Sequence, residues 1–317
     1  MKTETELPKT LIDAIRYFTD RDVCLSFVAN LRWPHGPVCP ACGGVDPLFL
    51  KTRCLWKCRA CKKQFSVKAG TIFEDSPIGL DKWLPAFWMV VNCKNGVSSY
   101  EIARALGVTQ KTAWFMTHRI RLAMQTGIFK KFSGEVEVDE TFIGGRARFM
   151  HKSTRARKIK GTGGMGKAAV MGLLERHGPD GHSIVKIKAV SNVRRKALLP
   201  EVREHVASGA EVFTDSLPSY KGLEAEYIHK VIDHAESYVQ DKIHTNGLEN
   251  FWSLLKRGLK GTYVSVEPFH LFRYLDEQSY RFNNRKLTDG GRFMLALRSI
   301  IGKRVTYQSL IGAAAQT

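Results

Sequence analysis

Long apolar runs are missing from this chain. The longest, residues 86–91 (AFWMVV), falls far short of the roughly 20 residues that a membrane-crossing helix needs, which excludes a helical membrane protein. Residues 1–6 (MKTETE) place no apolar signal region behind a basic start, so the chain is expected to stay in the cytoplasm. Acidic residues are scarce: 30 Asp and Glu stand against 49 Lys and Arg, a net charge of +19. A field of that sign favours a polyanionic partner through phosphate contacts and counterion release. Charge alone also fits a ribosome-associated or merely basic soluble protein. Cysteine is scarce as well, seven in 317 residues, and no histidine has a triad-like setting. A hydrophobic content of 44% is ample for a core, and the length suggests two or three domains.

Four of the cysteines form two CxxC pairs, Cys39 with Cys42 and Cys58 with Cys61, with 15 residues between the pairs. That is the pattern of a zinc ribbon, in which four thiolates close a tetrahedral structural Zn²⁺ site. Pro40 and Gly43-Gly44 shape the first knuckle, and Arg59, Lys62 and Lys63 favour ionised thiolates. A disulfide framework is the other reading, and an intracellular chain argues against it. Cys54 is a nearby spare; Cys24 and Cys93 sit in apolar contexts as core thiols. The first segments are therefore an N-terminal helical stretch (1–36) and a ribbon (37–75).

A helical block follows. Residues 81–92 crowd aromatic and aliphatic side chains at helical spacing, with Pro85 in the first turn, where a missing N–H is tolerated. Ser98 or Ser99 caps a second helix, Gly107 supplies a turn, and Thr109 caps a third running to about Gln125. Over 78–130 this spacing predicts a DNA-binding helix-turn-helix. Gln110, Lys111 and Thr112, and the face through His118, Arg119 and Arg121, would be open to a major groove. A plain helical hairpin packed on the core is the alternative; the ribbon and the charge favour the first.

From Ser133 the period changes from 3.6 to 2. Strands are expected at 135–143, 167–175, 183–190, 210–214 and 230–232, and helices at 195–206, 219–225, 246–258 and 268–283. That order is the order of an RNase H-like domain, spanning 133–290, with a mixed five-stranded sheet flanked by helices. The whole chain is then of the mixed α+β class. Residues 291–317 form a C-terminal tail to which the sequence assigns no function.

Three carboxylates stand out. Asp139 lies on the first strand, Asp215 closes the fourth, and Glu249 lies on the helix after the fifth. Buried carboxylates are costly unless they have a task, and hard oxygen ligands in this arrangement suit a Mg²⁺ (or Mn²⁺) pair about 3.5–4 Å apart in phosphoryl transfer. Glu140 points to the opposite face of a regular strand and reads as solvent-facing or turn-stabilising. Lys256, two helical turns beyond Glu249, shares its face and would hold a DNA phosphate, or else be solvated. Asn246, on the same face, would ligate metal, donate to a phosphate or cap the helix. Phe251 and Trp252 read as packing residues. The basic run 146–167 reads as a loop that contacts DNA or is merely solvated.

These stretches carry a resemblance. Val138-Asp139-Glu140-Thr141 with Gly144-Gly145, Thr214-Asp215-Ser216, and His244-Thr245-Asn246 through Glu249 to Lys256 resemble the DDE-type insertion-sequence transposases of family fifteen ninety-five, the ISXO-two-like group. Cys58-Arg59-Ala60-Cys61 through Gly70-Thr71-Ile72-Phe73 is similar to that family's zinc ribbon, and Arg281-Phe282-Asn283-Asn284-Arg285 to its closing motif. The resemblance covers roughly residues 20 to 290. It implies Mg²⁺-dependent cleavage at transposon ends and strand transfer into target DNA. It makes Asp139, Asp215 and Glu249 the metal ligands and Lys256 the accompanying basic residue. Some relatives have Asn in the third position, which keeps Asn246 beside Glu249; Glu249 is preferred because a carboxylate ligates Mg²⁺ better. Double-stranded DNA and a dimer or larger assembly on it are the expected partners. A DNA-binding regulator with a degenerate site and a nuclease that cuts without joining are the rival classes.

Overall fold

The structure is a computed structural model that describes residues 7–125, 130–145, 151–153, 156, 166–178, 180–232 and 244–312. The chain divides into two compact units, Met1–Thr126 with Asn284–Thr317, and Gly127–Asn283.

The first unit begins with α1 (Leu11–Tyr17), started by a capping box between Thr10 and Asp13, and α2 (Arg21–Arg32), capped by Asp20. A three-stranded antiparallel sheet follows, β1 (Leu48–Leu50), β2 (Leu55–Lys57) and β3 (Gln64–Phe65), with Trp33, Trp56 and Phe65 clustered against it. Helix α3 (Leu80–Asn92) is buried along nearly all its length and forms the centre of the unit. Ser98 and Glu101 make the capping box of α4 (Ser99–Leu106), Gly107 ends it at φ +60°, and Thr109 caps α5 (Gln110–Met124).

The C-terminal segment is not a detached tail. Helix α9 (Asp289–Arg298) carries Phe293, fully buried, with its ring centroid 5.7 Å from those of Phe18 and Phe87 and 5.2 Å from that of Trp88. Beyond it, the backbone of Ile300–Gly302 bonds to Gly70 and Ile72, and Lys303 donates to the carbonyls of Leu122 and Gln125 that end α5. The sequence showed an apolar stretch there but not its distant partners.

The second unit is a five-stranded sheet in the order β6-β5-β4-β7-β8, formed by β4 (Glu135–Ile143), β5 (Ala168–Glu175), β6 (Ile184–Val190), β7 (Glu211–Asp215) and β8 (Ile228–Ile232). β4, β5 and β6 are antiparallel; β4, β7 and β8 are parallel. Helix α6 (Arg195–His205) covers one face, where Leu198, Leu199 and Val202 meet Val136, Val138, Met171 and Leu173. Helices α7 (Asn246–Arg257) and α8 (Leu271–Asn283) cover the other, where Leu248, Phe251, Trp252 and Leu255 join Val170, Leu174 and Val185. The helix expected at 219–225 is instead two 3₁₀ turns, Pro218–Tyr220 and Leu223–Ala225. Pro218 at their start and Gly222 at φ +96° between them leave no room for continuous helix. Residues 268–270 are likewise a 3₁₀ turn leading into α8.

Phe293→Ala should lower the stability of the first unit by about 3–5 kcal/mol, the cost of a large aromatic removed from a closed core. Denaturant unfolding of the full chain measures it; a change under 1 kcal/mol would mean that the segment is only loosely attached.

Candidate active site

Strand alternation decides where the carboxylates go. Val136 and Val138 of β4 face α6, so Glu137 and Asp139 face α7. β4 and β7 are parallel with Glu137 paired to Phe213, so Asp139 and Asp215, each two residues further on, are level. Pairing between these strands ends at Glu137, and the site occupies the gap beyond it. There the carboxylate oxygens of Asp139, Asp215 and Glu140 lie within 4.8 Å of one another.

Glu140 is thus a correction. Alternation puts its Cβ on the far face, yet its carboxylate reaches the cluster around the edge that β7 leaves open. One oxygen, Oε1, is buried and finds no hydrogen-bond partner among the described residues. Burial first, then the charges of Asp215 and Asp139, push the Glu140 carboxyl up to about 8. Burial also raises Asp139, to about 6; the Trp252 indole and the Glu140 backbone N–H oppose this, while Asp215 and Glu249 add to it.

Trp252 does more than pack. Its Nε1 donates to Asp139 Oδ2 at 2.9 Å. Gly172, directly across from Asp139 on β5, makes room for the indole: a Cβ there would lie 2.6 Å from the Trp252 ring. The lone glycine inside an otherwise apolar strand was the signal of a close approach, and sequence reasoning passed over it.

Helix α7 carries the remaining candidates. Glu249 is exposed on its first turn, outside the three-carboxylate cluster, although its charge bears on Asp139. Lys256 is half-buried and its ammonium pKa is lowered, by burial first and then by Lys260, with Asp139 opposing. Asn246 is exposed at the first helical position, and the N-cap residue is Thr245, so Asn246 is not the cap.

In the ribbon, Cys39, Cys42, Cys58 and Cys61 converge, with Cys39 and Cys61 Sγ atoms 3.7 Å apart and Cys42 and Cys58 3.5 Å apart. A tetrahedron with Zn–S bonds of about 2.3 Å places its sulfurs about 3.8 Å apart, so the four thiols fit Zn²⁺. Each knuckle closes on a left-handed residue just after its second cysteine, Gly43 at φ +71° and Lys62 at φ +62°. The Cys61 backbone N–H, with neighbouring thiols, pulls the Cys58 thiol down to about 6. Cys54 is exposed and outside the cluster, and Cys24 is a buried thiol as expected.

The helix-turn-helix residues divide. Lys111 is exposed, its ammonium 5.0 Å from the Tyr307 ring, and Gln110 bonds Ser99 across the turn. Thr112 is half-buried in the first turn of α5. His118, Arg119 and Arg121 are buried, against the expectation of an open face. Arg119 is committed to the carbonyls of Ile72, Glu74 and Val305, so its charge fastens the unit together. Most of the basic run 146–167 lies outside the described residues. No helix among the described residues is long and apolar enough to cross a membrane.

A cysteine ribbon and a mixed sheet with carboxylates level on adjacent strands define a zinc-ribbon protein with a second, acidic candidate metal site. Residues 131–283 match the ISXO2-like transposase domain, and residues 19–64 the transposase zinc-ribbon domain. An uncharacterized transposase-like protein of Haemophilus influenzae is 35% identical over 99 residues, which are 31% of this chain and 80% of that protein. An uncharacterized protein in transposable element ISH50 of Halobacterium salinarum is 24% identical over 257 residues, 77% of this chain and 85% of that protein. The chain belongs to the ISXO2-like transposase family.

Both raised carboxyls bind protons in the native state that the unfolded chain has released. Without a divalent cation, stability should therefore fall as pH rises from the ordinary carboxylate range to about 6 for Asp139 and about 8 for Glu140, and level off above. Glu140→Gln should abolish the part of that slope between pH 6 and 8 in denaturant unfolding. Parallel wild-type and variant profiles would contradict the assignment.

Proposed function

We propose that this transposase cuts DNA at the ends of its element and joins the freed 3′ ends to target DNA, in a reaction that depends on Mg²⁺ or Mn²⁺. What supports this most is the level placement of Asp139 and Asp215 at the mouth of the gap between β4 and β7, beside the helix bearing Glu249 and Lys256. Asp139 and Asp215 are the shared ligands, and Glu249 is the third. Glu140, whose carboxylate lies with the first two, shares a proton or supports a ligand from behind. A divalent cation pair held here would activate the attacking oxygen and offset charge on the leaving oxygen.

The chain's own groups do the rest. Trp252 fixes one oxygen of Asp139 within its cluster with Asp215. Lys256, which feels the charge of Asp139, is placed to hold a phosphate of the cut strand. Asn246, at the exposed start of α7, is a candidate phosphate donor. In this reading Gln110, Lys111 and Thr112 contact the terminal repeats together with the Zn²⁺-bound ribbon. Two ends must be cut together, so a dimer or larger assembly on DNA is expected, acting in the cytoplasm.

The test is a supercoiled plasmid carrying the element's ends, incubated with the protein and Mg²⁺ or EDTA, followed by a pre-cleaved end with target DNA. Cleavage should require Mg²⁺ and be lost in Asp139→Ala, Asp215→Ala and Glu249→Gln, whereas Glu140→Gln should slow it by about 10–100-fold, as a supporting residue does. Binding with no cleavage would make the protein a DNA-binding regulator. Cleavage with no joined product would make it a nuclease.

A further inference from the structure

We infer that Glu137 is a positioning residue: it sets the helix bearing Glu249 and Lys256 against the strand bearing Asp139, and thereby the spacing at which the site takes a divalent cation. The inference rests on the metal-dependent reading above.

Glu137 lies two residues before Asp139 on the same face of β4 and is 1% exposed. Its Oε2 accepts from the backbone N–H of Leu248 at 2.9 Å. Leu248 is the third residue of α7, the position that a helix's own N-cap side chain ordinarily serves. Thr245, the N-cap here, makes no such bond, and its side chain is buried. The strand therefore supplies the cap that the helix lacks. A negative carboxylate at a helix N-terminus is also favoured by the aligned peptide dipoles.

Glu137 is in turn held from the side. Arg176 Nε donates to its Oε1 at 2.8 Å, and His244 Nδ1 lies 3.6 Å from the same oxygen. The Arg176 guanidinium stacks 4.2 Å over the Phe213 ring, bonds Glu135 at 3.2 Å, and donates to the carbonyl of His244, just before α7. Phe213 is the residue that pairs with Glu137 across β4 and β7. One cluster thus joins β4, β7 and the start of α7 immediately below Asp139 and Asp215.

The fit is close enough to set a distance. A Cβ on Gly247 would lie 2.8 Å from Glu137 Oε2 and 3.1 Å from Leu174 Cδ2, so the helix start rests on the carboxylate. Four residues along α7 from Leu248, Trp252 makes the second bond to the strand, at Asp139. The two bonds, one turn apart on the helix and two residues apart on the strand, fix the rotation and height of α7. Glu249 follows Leu248 directly, so any slip at Glu137 moves it.

The test titrates Mn²⁺ into Glu137→Gln, Asp139→Asn and wild-type protein, reading free Mn²⁺ by electron paramagnetic resonance, with the Mg²⁺ midpoint of cleavage measured alongside. Glu137→Gln should raise both midpoints about tenfold, and cleavage should recover at saturating Mn²⁺. A merely structural role would reduce the amount of folded, binding-competent protein and leave the midpoints unchanged; that result would overturn the proposal. Gly247→Ala, which favours helix and presses on the carboxylate from the other side, should shift the midpoints the same way with the fold retained. It decides the matter if Glu137→Gln fails to fold. Equal Mn²⁺ binding by wild type and Asp139→Asn would instead remove the metal reading on which the inference stands.

Discussion

Two carboxylates on the helix-covered face of a central strand are the constraint around which the second unit is built. Glu137 and Asp139 both point under α7, where an unpaired charge would cost several kcal/mol. The two are compensated differently. Glu137 is fully supplied by Arg176 and the α7 backbone, which makes it part of the frame. Asp139 has one oxygen bonded by Trp252 and lies in a cluster with Asp215 and Glu140, two further carboxylates. The neighbouring carboxylates add to the raised pKa of Asp139 and of Glu140, and such a cluster suits a cation.

The same constraint explains Gly172 and Gly247. Each lies where α7 comes closest to the sheet, one beneath the indole that bonds Asp139 and one above the carboxylate that caps the helix. Helix α7 is held by these approaches, its apolar seam of Leu248, Phe251 and Leu255, and the two polar bonds. Elsewhere charge has a different use. Arg119 and Lys303, which a net charge of +19 invites one to assign to DNA, are spent on backbone carbonyls within the first unit. A basic chain thus has fewer residues free for phosphate than its composition suggests.

Much of this was legible in the sequence. The four ribbon cysteines, the order of the five strands, and the placing of Asp139 on the first strand and Asp215 at the end of the fourth follow from spacing and period, since cysteine knuckles and strand alternation are local. What escaped was non-local. His118 and Arg119 read as an open helix face because their covering partners, including Val305, lie far along the chain. The C-terminal segment read as a tail for the same reason. Glu140 was misjudged because parity fixes where a Cβ starts, whereas a glutamate is long enough to round a strand edge that has lost its neighbour. Glu137 carries no local signal, because its partners Arg176 and Leu248 lie far along the chain.

The central claim is that Asp139 and Asp215 jointly hold a divalent cation beside α7. Anomalous diffraction from crystals grown with Mn²⁺ locates that ion directly. The account predicts a peak between the two aspartates, within about 2.0–2.4 Å of an oxygen of each, a hard-cation ligand distance. Glu249 should swing in to complete the set. No peak there at saturating Mn²⁺, with Asp139 and Glu140 still clustered around Asp215, would contradict it.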